Sequence, residues 1–293
     1  MVTYHDCGQL YFGPAIGPAR AARTVSLKLK LPTDGEIETY QRDGIVCLRG
    51  IFAPWVDVIA AGVARNEAEP GRFAGDSVGA GDTGRFFNDY CNWQRIPEYE
   101  DFVRHSPAAA VAARLMASRS VRIFHEHVLI KEPGTSKRTP WHHDLPYYNV
   151  QGRQTASTWL APDPVPRATC VEFVAGSHLW NRLFYPRKFI DSRNYDYAGA
   201  GFEPVPDIDA ERERFDIRSY DLAPGDALVF NFLTLHGSPA NMTPGRRRGF
   251  STRWLGDDVT YAKRPGETSP PFNDIGLCTG DPMPEDLFPV IAA

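Results

Sequence analysis

From Val121 to Lys131 the chain alternates with a period of two. Phe124, Glu126, Val128 and Ile130 fall on one face and Ile123, His125, His127 and Leu129 on the other, as a strand between two layers requires. Similar strand-like runs recur around His142, over 154–161, 169–174, 217–222, 227–232 and 246–254, each bounded by Gly, Pro or Asp turns. Helical spacing is confined to the first half. Thr33-Asp34-Gly35-Glu36 opens a short helix that runs to about Asp43 and stops at Gly44, with Thr33 or Asp34 as its cap. A strand follows over Ile45 to Arg49. A second helix starts at Ala53-Pro54 and reaches about Glu67, and an alanine-rich one runs from Ser106-Pro107 to about Ser118 with Val111, Leu115 and Met116 on its inner stripe.

Other stretches carry no period. Residues 1–33 read as an arm broken by Gly13-Pro14 and Gly17-Pro18, and 73–92 as a glycine-rich then aromatic loop. The charged, tyrosine-bearing run 179–216 reads as an insertion that forms a lid or binding loop, and 259–293 as a proline-rich tail on the body.

Composition narrows the class. With 293 residues, 42% hydrophobic, and 25 glycines beside 25 prolines, the chain suits one large domain of many short strands better than a helical bundle. A net charge of −4 argues against a general nucleic-acid binder. The five cysteines are widely spaced with no Cys-x-x-Cys and read as free thiols of a reducing compartment. With no run of 18 apolar residues, the expectation is a soluble cytoplasmic protein that meets neither membrane nor nucleic acid, its partner a small-molecule substrate.

The chemistry gathers at Trp141-His142-His143-Asp144. On an extended strand His142 and Asp144 project the same way, about 7 Å apart, so both can reach one ion. His236, closing the 227–232 strand, would complete a set of two imidazoles and one carboxylate, which suits non-haem iron and leaves coordination positions open. Eleven residues on, Arg247 starts the next strand and can face the same cavity, as an anion clamp beside a metal. His125 and His127 share the same spacing and are rival ligands, read as structural for want of a patterned arginine.

The chain resembles the phytanoyl-CoA dioxygenase family of iron(II)- and 2-oxoglutarate-dependent oxygenases. The likeness rests on Val128-Leu129-Ile130-Lys131-Glu132-Pro133-Gly134, Trp141 to Tyr148, Gly176-Ser177-His178, Pro224-Gly225-Asp226 through His236-Gly237-Ser238, and Gly245-Arg246-Arg247. Ala175 departs from the proline usual before Gly-Ser-His, and Arg167 to Cys170 from the usual Glu-Asn-Gly turn. The resemblance implies a mainly β fold, a double-stranded β-helix or cupin-like jelly-roll barrel with flanking α-helices. It implies that His142, Asp144 and His236 are catalytic ligands of Fe(II), and that Arg247 pairs with the distal carboxylate of 2-oxoglutarate with help from Ser238. Trp159 would line that co-substrate pocket, and Arg85 approach it. O2 would be the second co-substrate, with ascorbate supportive in assays, and the reaction a hydroxylation. Related halogenases lack the carboxylate that Asp144 supplies. Tyr147, Tyr148 and Glu126 are expected to shape the substrate pocket, and Arg246, Arg248 or Arg253 to meet an anionic group. The alternatives are a silent barrel that binds without turnover and a cupin-like metalloenzyme that does not use 2-oxoglutarate.

Overall fold

The protein is described from a computed structural model, which covers residues 30–189, 193–197 and 201–292. Most of the expected N-terminal arm, 1–29, lies outside the described residues. Helix α1 (Asp34–Asp43) starts where the sequence places it. Thr33 and Glu36 cap each other reciprocally, the Thr33 side chain accepting from the Glu36 N–H and the Glu36 carboxylate from the Thr33 N–H, and Gly44 ends the helix at φ 73°. Strand β1 (Ile45–Leu48) follows, then α2 (Val56–Ala68), β2 (Gly75–Val78) and β3 (Arg85–Tyr90). Two helices in series, α3 (Pro97–His105) and α4 (Ala108–Met116), lead to β4 (Val121–Lys131) and β5 (Thr139–His142). The rest of the framework is β6 (Thr155–Leu160), β7 (Glu172–Val174), β8 (Ile217–Arg218), β9 (Ala227–Phe230), β10 (His236–Ser238), β11 (Arg247–Leu255) and β12 (Val290–Ala292).

These strands form two antiparallel sheets. The larger runs β1-β9-β6-β11-β4-β3-β2, with β12 paired to the start of β4, and the smaller runs β8-β7-β10-β5. This is the mainly β, cupin-like architecture expected, with one correction: pairing among the described residues closes no barrel.

Alternation along the strands builds two cores. Val46, Leu48, Leu160, Val229 and Phe250 pack against Tyr40, Val63, Phe102 and Leu115 of the helices. Their neighbours Ile45, Trp159, Leu228 and Phe230 face inward against Phe173 and Leu222. Each such side chain stabilises the fold by about 1.5–3 kcal/mol relative to exposure.

Three expectations change. The 73–92 stretch is a hairpin, β2 with β3, because Phe87 joins the helical core and Phe73 stacks on Tyr90 at 4.8 Å; its glycines hid the strand pattern. The tail is less irregular than read, since β12 and a short Thr260–Tyr261 strand both pair with the body. On β4 the face assignment breaks at a bulge. Arg253 pairs with His125 and Trp254 with Ile123, leaving Phe124 unmatched, so Ile123 joins Val128 and Ile130 on the helical side.

Glu126 follows the same parity and faces the helices, away from the cavity it was expected to line. Its buried carboxylate accepts the Asn92 N–H at 2.6 Å and the Trp93 N–H at 2.8 Å, fixing the chain that enters α3. Glu126→Ala orphans both donors at a cost of about 2–5 kcal/mol in total, which a lowered urea midpoint will report. An unchanged midpoint would place the support of this segment elsewhere.

Candidate metal centre

β5 ends at His142, and Asp144 already has helical geometry, φ −70° and ψ −36°, entering a 3-10 turn over Leu145–Tyr147. The extended strand from which their convergence was expected is therefore absent at Asp144. A turn brings the carboxylate round instead. His236 arrives by pairing, since it is the register partner of His142 across β10 and β5. The two imidazoles lie 4.2 Å apart between ring centres, and Asp144 Oδ1 is 3.7 Å from the Nε2 of each. One ligand atom from each of the three residues lies within 4.8 Å of the others, and all three are buried.

Hydrogen bonds prepare these atoms for a cation. His142 Nδ1 meets the Pro140 carbonyl at 2.8 Å and His236 Nδ1 the Thr234 carbonyl at 2.9 Å. A carbonyl only accepts, so each Nδ1 carries the proton and each Nε2 presents a lone pair. Burial holds both rings below the usual imidazole pKa, in the neutral form a metal needs. Burial alone would raise the Asp144 carboxyl, but Arg253, His236, His142 and a hydrogen bond from Ser157 Oγ outweigh it and hold it down to about 2. Ser157 binds Oδ2 at 2.9 Å, which leaves Oδ1 turned to the histidines. Two imidazoles and one carboxylate, all deprotonated, fit a divalent first-row metal such as iron(II).

A cavity of about 270 Å³ opens at this centre. Arg247 lines it, 3% exposed, with NH1 donating to the Thr169 carbonyl at 3.0 Å and Nε without a partner. Among the described residues no carboxylate pairs with it. Burial lowers its pKa to about 10. Its guanidinium sits 5.7 Å from the Trp159 ring centre, and the Trp159 Nε1–H is also unpartnered. Trp159 has room because residue 249 is glycine: a Cβ there would come within 2.4 Å of the indole. Ser238 also lines the cavity, its hydroxyl donating to Thr139 Oγ1 at 3.0 Å and accepting at 2.8 Å from Lys131 Nζ, whose pKa burial and then Arg247 push well below the usual lysine value.

Among the other expected residues, Tyr147 and Tyr148 line the cavity. Arg85 does not: its guanidinium pairs with Asp76 and Glu67 on the outside of β3. Arg246 is taken by Glu132 and Glu67, and Arg248 by Asp163. Arg253 does turn inward, with Nε donating to Tyr148 Oη at 3.0 Å and NH2 3.9 Å from Asp144. His125 and His127 line the cavity but stand outside the metal cluster. The 179–216 insertion covers the site in part: Phe189 lies edge-on to His142 at 4.9 Å, and Tyr147 Oη donates to the Arg187 carbonyl at 2.7 Å. Sequence reasoning missed Ser157 and Gly249. Both sit two positions from a residue it had selected, Trp159 and Arg247, on the inward face of the same strands.

Two antiparallel sheets around two histidines, an aspartate and a buried inward arginine form the architecture of the iron(II)- and 2-oxoglutarate-dependent oxygenases. The chain belongs to the phytanoyl-CoA dioxygenase family, whose model matches residues 40–249. A probable phytanoyl-CoA dioxygenase of Caenorhabditis elegans is 30% identical over 143 residues, which span 46% of this chain and 43% of that relative. Among solved structures, the epimerase SnoN in complex with Fe3+, alpha ketoglutarate and nogalamycin RO superposes with a TM-score of 0.69 at 23% identity, covering 88% of this chain and 97% of that one. EctD from S. alaskensis with 2-oxoglutarate and 5-hydroxyectoine gives 0.61 at 18% identity, covering 87% and 83%. At these identities the superpositions establish the shared fold.

The geometry predicts a graded loss of metal binding. Asp144→Ala will abolish measurable Fe(II) or Mn(II) binding in calorimetry, and Ser157→Ala, which only frees the carboxylate, will weaken it about 10–100-fold. Equal affinity in all three proteins would reject this ligand set.

Proposed function

We propose that the protein is an iron(II)- and 2-oxoglutarate-dependent oxygenase that hydroxylates a small organic substrate, with O2 as oxidant and 2-oxoglutarate converted to succinate and CO2. The observation that carries this reading is Arg247, a guanidinium buried in the cavity with no carboxylate partner, beside an intact set of metal ligands. A buried charge without a counter-ion is costly, and a dicarboxylate reaching from the metal to Arg247 would supply one. A metalloenzyme without this co-substrate would have no use for that cation.

His142, Asp144 and His236 would hold the iron. When bound, that metal would supply, with 2-oxoglutarate and O2, the oxidant that replaces a substrate C–H by C–OH. The chain's own residues position and shield. Arg247 would meet the distal carboxylate as a planar fork, Trp159 would wall that pocket, and the Ser238 hydroxyl, held by Lys131, would add a hydrogen bond beside it. Ser157 and Arg253 hold Asp144 in its orientation and charge state. Phe189 and Tyr147, both edge-on to His142, would exclude water from the cavity beside the ligand set. The substrate would enter among Tyr147, Tyr148 and the 179–216 insertion.

Purified protein with Fe(II), ascorbate and 2-oxoglutarate is expected to release succinate, faster when its substrate is present. A chain that binds the metal yet releases none would be a silent binding protein. In Arg247→Ala the 2-oxoglutarate KM should rise on the order of a hundredfold, with metal affinity unchanged. Gly249→Ala should raise the same KM by displacing Trp159, and an unaltered KM in both variants would move the co-substrate pocket elsewhere.

A further inference from the structure

The oxygenase reading gives no role to two histidines of the cavity wall. His125 and His127, alternate residues of β4, both line the cavity. His125 Nδ1 meets the Glu126 carbonyl at 3.1 Å, so it carries the proton and Nε2 offers a lone pair. That Nε2 is buried without a hydrogen-bond partner, and so is the Nε2 of His127. Burial, and after it the charge of Arg253, keep both rings neutral. Buried polar atoms left unmatched are costly, and a hydroxyl recovers that cost by donating to His125 Nε2 and by pairing, as donor or acceptor, with His127 Nε2.

The surroundings narrow the donor. Tyr90 lies edge-on to His127 at 5.3 Å with Phe73 stacked on its far side, and Tyr148 flanks His125 at 5.1 Å. The wall is therefore aromatic, with two unpartnered ring nitrogens set into it. Among the described lining residues Asp144 is the one carboxylate, committed to the metal, so an ammonium group would find no counter-ion. Of the three lining arginines, Arg247 is assigned to the co-substrate, Arg253 is held by Tyr148 and Asp144, and Arg187 is engaged elsewhere, while the His125 lone pair repels a carboxylate.

Taking the oxygenase reading as the basis, we infer that His125 and His127 are the substrate-recognition residues, His125 accepting a hydrogen bond from, and His127 pairing with, the hydroxyl groups of a neutral, hydroxyl-bearing ring compound packed against Tyr90 and Tyr148. The role is to bind and orient.

The test uses probes that share one apolar body: 2-naphthol, its methyl ether, 2-naphthoate and 2-naphthylmethylammonium, titrated into protein loaded with Fe(II) and 2-oxoglutarate without oxygen. 2-Naphthol is expected to bind at least about tenfold more tightly than each of the others. In His125→Phe and His127→Phe, which keep a ring and remove its nitrogens, that preference should shrink to about twofold. The visible charge-transfer absorption of the Fe(II)–2-oxoglutarate complex should stay as in wild type, reporting that the variants fold and load. Equal binding of the ether or the carboxylate by the wild-type protein overturns the inference, as does binding of none of the four, or a full preference retained in both variants. Should the wild-type protein never develop the absorption, the oxygenase reading fails on its own account, separately from the ranking of the probes.

Discussion

The pairing of His236 on β10 with His142 on β5 is the constraint on which the candidate metal centre depends. His236 sits opposite His142, and each ring is pinned by the carbonyl two residues before it, Thr234 and Pro140. Ligands far apart in sequence thus become neighbours through backbone hydrogen bonds of the smaller sheet. A slip of one residue would turn His236 to the opposite face and leave a single imidazole with Asp144. Gly237 shows how close the strands run at this point, since a Cβ there would meet the Thr139 carbonyl at 3.1 Å.

The larger sheet contributes basic side chains, among which burial and then Arg247 disfavour the charged form of Lys131. Its inner face carries Arg247 and Arg253 on β11 and Lys131 on β4, all buried, where an apolar core would have been more stable. Arg253 is matched by Asp144 and a tyrosine hydroxyl, and Lys131 by Ser238 and the Pro239 carbonyl. Arg247 alone of the three has a side-chain nitrogen without an acceptor. Local stability is given up at the position where an incoming anion can restore it, the usual signature of a binding site.

Much of this was legible in the sequence because strand parity carries it. Period-two patterning placed β4, β6, β9 and β11 to within a few residues, and His142, Asp144, His236 and Arg247, singled out from sequence, are brought by the fold to one cavity. What escaped depends on pairing partners. One bulge at Phe124 moved Ile123 to the helical side, and nothing local to Val121–Lys131 announces it, because the register shift is defined against β11. Glu126 reads as a polar residue of a pocket strand, yet its partners are backbone N–H groups of a loop over 30 positions earlier. Arg85 lies on a hairpin whose glycines and charges mimic a surface loop, and the carboxylates that take its guanidinium come from α2 and β2.

The loop that carries Asp144 is held by segments without a sequence period, which explains why a turn rather than a strand can position a metal ligand. Arg264 donates to the Tyr148 carbonyl at 2.7 Å and the Leu145 carbonyl at 3.0 Å, and the Ser269 N–H reaches the Tyr147 carbonyl at 2.9 Å. From the insertion, Tyr197 Oη donates to the Pro146 carbonyl at 2.8 Å. From the body, the Leu145 N–H reaches the Phe232 carbonyl at 3.0 Å. A turn held from three sides by the tail, the insertion and the body has little freedom left, so Asp144 keeps its place as firmly as the histidines that strand pairing fixes. The tail and insertion therefore support the candidate metal centre in a physical sense: they satisfy the backbone of the turn that carries Asp144.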